Sequence, residues 1–400
     1  MISALLLVGL LVAAFVGYNV GGATTGVAFG PAVGAGVLSK LAAGLLMAVC
    51  FFAGGWTVGR NVVETLGGRI VPAELFTLEV SIGVLFFIGT ALLVSNSFGV
   101  PASTSMTAVG AIAGLGLATG QLNWGVMGRI VVWWLVAPLV AFWVSGVVGR
   151  YFYPRINSWV AIDRSDGGLF ALDRSGPVPR PALGPGTTPR EAAGALTVVV
   201  IGCFMAFSSG ASNTANAVAP LVGSGELDMN PAILLAGIAT GLGALTIARR
   251  TLETVGNDLT ELPITAAIVV AVISATIITL LSALGIPASF VVVATMSIVG
   301  LGWGRATRTA RLSETVRGER PGMSPGALAA DETPRIGPDG SGTDGEPGEP
   351  SPPIGDEEPE DLPSSDDLFE PGRTARVILM QNFVPSVATL GAYLVFSVTL

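Results

Sequence analysis

Eight apolar runs, each long enough or nearly long enough to cross a lipid bilayer, dominate this chain of 400 residues. A helix needs about 20 consecutive apolar residues to span the hydrocarbon layer, and only 12% of the residues are charged. The pattern therefore predicts an all-α polytopic membrane protein. The first run starts at the N-terminus without a charged region before it, so we expect a retained span and not a cleaved signal peptide. The runs cover 3–17, 40–66, 72–97, 123–149, 192–207, 231–248, 262–284 and 375–400.

Between these runs lie four stretches that are apolar but rich in small and polar residues: 21–38, 99–118, 210–225 and 285–304. We predict broken or re-entrant helices there, because Gly and Asn are poor helix formers. Irregular backbone at membrane depth is tolerated only where protein or a wet cavity covers it. The polar stretch Gly210–Gly225 is therefore expected to be broken and to hold a ligand. Close packing of helices through small residues is the alternative interpretation.

The two halves of the chain are copies of each other. At an offset of 189 residues, GPAVGAG at 30–36 aligns with APLVGSG at 219–225. Four matched blocks in the same order establish a duplication. The other matches are RNVVETLG at 60–67 with RRTLETVG at 249–256, GVPAS at 99–103 with GIPAS at 285–289, and Arg129 and Pro138 with Arg376 and Pro385.

Composition divides the chain into two membrane repeats and two polar segments. The segment 321–371 holds fourteen acidic residues and one arginine, which is typical of disordered chain. We predict a first membrane repeat at 1–150, a polar cytoplasmic linker at 151–191, a second repeat at 192–304 with 374–400, and a disordered acidic cytoplasmic insert at 305–373.

Arginine placement predicts the orientation in the cell membrane. Arginines are frequent in the linker and at the start of the insert, so both segments are expected to be cytoplasmic. The uncharged 118–123, which corresponds to the insert, is then expected outside. Corresponding loops on opposite sides indicate inverted-topology repeats, the architecture of secondary transporters. Both chain termini are then expected to be extracellular.

Several classes of function are excluded by residue usage. The chain has no histidine, so a His-based metal site or catalytic triad is not available. Cys50 and Cys203 lie in separate apolar runs and are expected to be buried apolar residues, not a disulfide or metal pair. No nucleophile–base pair or phosphate-loop motif is found. We therefore expect neither an enzyme, nor a cofactor, nor a nucleic-acid partner.

With the repeats aligned, the chain resembles the PiT-type inorganic phosphate transporters. Each half of that family carries GxNDxANA followed by VGS, here GASNTANAVAPLVGS at 210–224 and GGATTGVAFGPAVGA at 21–35. The resemblance implies secondary transport between inverted repeats and a homodimer. The family's Glu-Thr pair is matched by Glu64-Thr65 and Glu253-Thr254, and its G-[LI]-P-x-S-T-T segment by GVPASTS at 99–105 and, less closely, by GIPASFV at 285–291.

The chain departs from the family pattern at the motif aspartate. Asn213 stands there in the second copy and Thr24 in the first. In the family these acids help bind the coupling cation and the substrate. Two negative charges beside the anion are therefore missing.

A phosphate ion inside a membrane needs hydrogen-bond donors and no facing carboxylate. N-termini of broken helices supply N–H groups and partial positive charge, and hydroxyls and amides add donors. For each such hydroxyl, a bond to a carbonyl of its own helix is the alternative. The candidate substrate-binding residues are Thr24, Thr25, Ser103, Thr104, Ser105, Asn213, Thr214, Asn216 and Ser289, with Asn19 and Ser208 as further residues that could line the same cavity.

Glu64 and Glu253 are the candidate residues for cation coupling or for stabilising the broken helices. A carboxylate inside the membrane is costly and indicates a functional site. Each follows an arginine by four positions, Arg60 and Arg249, so an ion pair along the helix is the structural alternative.

Three functions fit the sequence. The first is secondary-active transport of inorganic phosphate by alternating access, coupled to sodium ions or protons. The second is transport of sulfate, another tetrahedral dianion. The third is a non-transporting homologue that binds an anion as a sensor, for which the acidic insert would be the output.

Overall fold

The computed structural model describes residues 3–34, 37–97, 103–160, 170–173, 180–183, 187–246, 264–307 and 371–400. Within these ranges the first half contains six helices, with a short 3-10 turn at Ala73–Leu75. They are α1 (Ala4–Gly34), α2 (Lys40–Thr57), α3 (Gly59–Gly68), α4 (Leu78–Ser97), α5 (Thr104–Ala118) and α6 (Trp124–Val147). The second half contains α8 (Pro189–Gly223), α9 (Met229–Thr246), α10 (Ile264–Ala283), α11 (Phe290–Ala306) and α12 (Pro371–Thr399).

A linker with local structure joins the two halves. A π-helical turn, Val148–Phe152, and the helix α7 (Tyr153–Val160) continue directly from α6. Further along, β1 (Phe170–Asp173) pairs antiparallel with β2 (Arg180–Leu183). The predicted disorder of the acidic insert concerns residues that mostly lie outside the described ones. The predicted segment boundaries therefore stay predictions.

Eight helices in the described part of the chain are long and apolar enough to cross a membrane. Two more apolar helices, α5 and α11, have only 15 and 17 residues. A helix rises about 1.5 Å per residue, so these two reach only part of the way across the hydrocarbon layer. Multi-pass membrane architecture with short half-helices is confirmed.

The duplication is visible in the helix boundaries. Helices α2 and α9 both have 18 residues and begin at Lys40 and Met229, which are 189 positions apart. Helices α4 and α10 both have 20 residues and begin at Leu78 and Ile264, 186 positions apart. The offsets are those found in the sequence, so the two-repeat prediction is confirmed.

Equivalent helices of the two repeats run in opposite directions. Gly44, near the start of α2, lies against Leu245 near the end of α9, and Gly237 lies against Phe52. The same holds for α1 and α8, where Gly9 contacts Leu221. An antiparallel arrangement of equivalent helices is the geometry of inverted repeats, which are confirmed.

Small residues bring helices of different repeats into backbone contact. Gly210 lies directly against the carbonyl of Phe51, and its equivalent Gly21 lies in the same way against the carbonyl of Thr240. A side chain would not fit at either glycine. Without a hydrophobic force between helices in lipid, such close van der Waals packing is a main source of association.

The predicted break within Gly210–Gly225 is wrong. Helix α8 continues without interruption from Pro189 to Gly223, and α1 likewise continues to Gly34. Nearly all residues of α8 from 205 to 221 are buried, so its small residues serve helix packing and need no unwound backbone. The described interruption lies instead between α10 and α11, where Gly285 has a φ of 69°. Residues 98–102, which correspond to this stretch in the first repeat, lie outside the described residues.

Candidate functional site

The N-terminus of α5 faces the middle of α8. Ser103 is the N-cap residue, and its hydroxyl accepts a hydrogen bond from the amide of Met106 at 3.2 Å. The N–H groups of the first turn of a helix have no acceptor within that helix, and they give this end a partial positive charge. The next two side chains, Thr104 and Ser105, point to α8 and bond to it. A donor-rich helix end is thus held against the polar part of α8.

Asn213 is the centre of this polar cluster. Its Oδ1 atom accepts hydrogen bonds from Thr104 at 2.5 Å, from Asn216 at 3.1 Å and, more weakly, from Ser105 at 3.4 Å. Its Nδ2 atom donates to Ser209 at 3.1 Å. Asn213 is 3% exposed, so these bonds lie in the protein interior. The side chain thereby joins a half-helix of the first repeat to a long helix of the second.

Ser212 connects the same cluster to the interruption before α11. Its hydroxyl lies 3.2 Å from the hydroxyl of Ser105 and donates to the carbonyl of Ala288 at 2.9 Å. Ser289 follows as the N-cap of α11 and accepts from Val292 at 3.4 Å. The N-termini of both half-helices therefore lie beside α8.

The Oδ1 atom of Asn216 is buried and has no hydrogen-bond partner among the residues that the structure describes. Asn216 is fully buried, and its Nδ2 atom donates to Asn213. A buried acceptor without a donor costs about 1–3 kcal/mol. The cluster thus offers one unused acceptor beside its donors, and its side chains are hydroxyls and amides without a carboxylate.

Three candidate threonines use their hydroxyls within their own helices. Thr24 donates to Val20 at 2.8 Å, Thr25 to Gly21 at 2.7 Å and Thr214 to Gly210 at 2.8 Å. This is the alternative considered for hydroxyls on helices. These three side chains do not share the hydrogen bonds of the Asn213 cluster.

Asn19 and Ser208 are both buried but bond elsewhere. Asn19 accepts from Asn96 at 3.1 Å, whereas Ser208 donates to the carbonyl of Ala275 at 3.0 Å. The structure therefore does not bring these two side chains together in one hydrogen-bonded group.

Glu64 does not form the ion pair with Arg60 that was the structural alternative to a functional role. It pairs with Arg69 at 2.7 Å, and both side chains are about half exposed. Arg60 instead donates to Asn230 at 2.6 Å and lies over the ring of Trp56. Arg69, at the C-terminal end of α3, lies within reach of Glu64. A separation of five residues along a helix does not favour such a pair, so the sequence did not indicate it. Glu253 and Arg249, the corresponding pair of the second repeat, lie outside the described residues.

We expect the change Glu64→Gln to have only a small effect on stability. An exposed ion pair contributes at most about 1 kcal/mol, so the melting temperature in detergent should fall by no more than a few degrees. Differential scanning fluorimetry of the purified protein measures this, with Glu74→Gln as the control. A loss of folding would instead indicate that Glu64 is held in an environment unlike the exposed one observed.

Three buried polar residues of the described helices were missed by the candidate set: Ser209 and Ser212 of the cluster, and Gln381 of α12. Ser209 lies one turn before Asn213, and Ser212 occupies the position before the motif aspartate, so helical spacing could have indicated both. Gln381 is a buried polar residue of α12 four positions before Pro385. Its only signal was a polar side chain in an apolar run.

Two inverted repeats of membrane-crossing helices, with half-helix N-termini that meet at a buried polar cluster, define the class of inverted-repeat membrane transporters. Such proteins carry their substrate site at the repeat interface.

Comparison with known proteins identifies the family. The model of the phosphate transporter family matches residues 20–162 and 185–319, one segment in each repeat. The chain belongs to this family.

Individual relatives agree with this assignment. The chain is 30% identical to the sulfate permease CysP of Bacillus subtilis over 75% of its own length and 77% of that protein. It is 27% identical to a Chlamydia muridarum protein that carries the name phosphate permease, over 74% of this chain and 89% of that one. A solved structure titled as the sodium-dependent phosphate transporter shares the fold, with a TM-score of 0.67 over 99% of both chains and 17% identity. These relatives are permeases or transporters, so the chain is not an enzyme.

Proposed function

We propose that this chain transports inorganic phosphate across the cell membrane by alternating access between its two repeats. The observation that carries the proposal is the cluster around Asn213, which joins the α5 N-terminus of one repeat to α8 of the other. A tetrahedral oxyanion is stabilised by helix N-termini and by hydroxyl and amide donors. When the repeats move relative to each other, this interface opens to one side or the other.

The unused acceptor of the cluster supports phosphate in particular. Hydrogen phosphate carries a P–OH group, which can donate to the free Oδ1 atom of Asn216. Sulfate at neutral pH has no proton to donate. Phosphate can therefore provide this acceptor with a donor, which sulfate cannot.

Sulfate is the second candidate substrate, favoured by two observations. The relative at 30% identity is named a sulfate permease. In addition, the described cluster contains no carboxylate to accept a proton from the substrate. A fully deprotonated dianion needs donors alone.

Cation coupling is proposed to depend on groups other than the motif aspartates. Asn213 and Thr24 stand at those positions and carry no charge. The candidates for holding a sodium ion or accepting a proton are then Glu64, which is half exposed in the described structure, and Glu253.

Competition between substrates in proteoliposomes tests the proposed function. We expect uptake of labelled phosphate. An excess of unlabelled phosphate should abolish this uptake, and the same concentration of sulfate should reduce it at most weakly. Runs with and without sodium and proton gradients identify the driving ion, and protein-free liposomes provide the background. Stronger inhibition by sulfate than by phosphate would make sulfate the substrate, and binding of phosphate without flux would make the chain a sensor.

A further inference from the structure

The N-termini of the two half-helices differ in polarity. Helix α5 begins with Thr104 and Ser105, which bond to α8. At the offset of 186, the equivalent residues of α11 are Phe290 and Val291. A small, mainly apolar cavity lies between the starts of α11 and α5, and Met106 and Trp134 are among its lining residues. The first two residues of α5 are therefore polar where the equivalent residues of α11 are apolar.

A second unpartnered polar group lies on α12. Gln381 of α12 is 8% exposed, and its Nε2 atom has no hydrogen-bond partner within the described residues. A buried amide donor without an acceptor costs about 1–3 kcal/mol. Such a group in a folded protein calls for an explanation, and a bound ligand is one.

Helix packing places Gln381 beside the first turn of α5. Gly110 of α5 lies against the carbonyl of Pro385, and Gly114 lies against the carbonyl of Thr389. Both contacts advance by four residues, so the two helices run parallel at this level. From this spacing we infer that, one turn earlier on each helix, Gln381 lies level with Met106, which closes the first turn of α5.

The equivalent side chain of the first repeat has a protein partner. Trp134 precedes Pro138 by four residues, as Gln381 precedes Pro385. Its Nε1 atom donates to the carbonyl of Pro287, in the interruption before α11, at 2.8 Å. The same position thus carries an N–H donor in both repeats. It is used within the protein in the first repeat and left free, as far as the described residues show, in the second.

We propose that the side-chain amide of Gln381 donates a hydrogen bond to the transported oxyanion at the N-terminus of α5. The proposal rests on the proposed function, transport of a tetrahedral oxyanion. In the substrate complex, Gln381 approaches from α12 while the Asn213 cluster approaches from α8. The anion then contacts donors from three helices, α5, α8 and α12. It also provides the buried Nε2 donor of Gln381 with an acceptor.

The test compares two variants on the α5-facing side of α12. Gln381→Met keeps the length of the side chain and removes the donor. The control Thr389→Val keeps the shape at a position whose hydroxyl already bonds to its own helix carbonyl at 2.8 Å. Initial rates of labelled phosphate and sulfate uptake in proteoliposomes give KM and kcat for each protein, and fluorimetry in detergent gives the melting temperature.

A lost hydrogen bond to a charged group should raise the KM of the transported anion about tenfold to a hundredfold in Gln381→Met. Thr389→Val should leave it within twofold, and both variants should remain folded. An unchanged KM in Gln381→Met, with or without a lower kcat, would overturn the inference. Absence of phosphate and sulfate uptake by the unaltered protein would overturn the proposed function and this inference with it.

Discussion

Replacement of Asn213 by aspartate should preserve the fold and reduce oxyanion uptake by about a thousandfold at limiting substrate. The variant carboxylate keeps the shape of the side chain and can still accept from Thr104, Ser105 and Asn216. In the proposed complex, however, its charge faces the anion. Two like unit charges about 4 Å apart repel by about 4 kcal/mol at an effective dielectric constant of about 20, and each 1.4 kcal/mol corresponds to about a tenfold change.

Uptake of labelled phosphate into proteoliposomes measures this effect, in sodium-free buffer and in sodium chloride. A sodium ion beside the new carboxylate compensates its charge, so sodium should recover part of the uptake. Thr197→Val is the matched control, because Thr197 lies in the same helix α8 outside the cluster and its hydroxyl bonds to Ala193. Normal sodium-free uptake by the Asn213→Asp protein would mean that the anion passes at a distance from this cluster.

The change Gly210→Ala should lower the free energy of unfolding by about 1–3 kcal/mol or more, as overpacking of a well-packed interior does. A methyl group at this position meets the carbonyl of Phe51 on the neighbouring helix α2. Backbone atoms cannot rotate away as a side chain can, so the two helices must separate. Because Gly21 meets the carbonyl of Thr240 in the equivalent place, Gly21→Ala should be destabilising to a similar extent.

Thermal unfolding in detergent measures both changes. Gly128→Ala provides the control, since a methyl group there meets no atom within 4 Å and replaces a poor helix former by a good one. We expect that control to be neutral or slightly stabilising. A loss at Gly210 without a loss at Gly21 would argue against equivalent packing in the two repeats.

Sequence patterns did not predict the continuity of α8 or the position of Gln381. The sequence of α8 combines Gly, Asn and Thr, which predicts a break, yet α8 is continuous because neighbouring helices bury its small residues. Local propensity is a weak signal when tertiary packing can override it. Gln381 lies far from the motif in sequence, and its proposed role depends on the packing of α12 along α5. No spacing rule connects these two parts of the chain.

The amino-acid sequence determined the membrane class, the number of repeats and their inverted orientation. It could do so because a bilayer demands long apolar helices, and a duplication repeats its motifs at a constant offset. The tertiary structure decided which polar residues meet. Thr24, Thr25 and Thr214 bond within their own helices, whereas Asn213 joins two repeats. A hydroxyl on a helix can bond to its own backbone or to a neighbouring side chain, and only the packing of the neighbouring helix selects between the two.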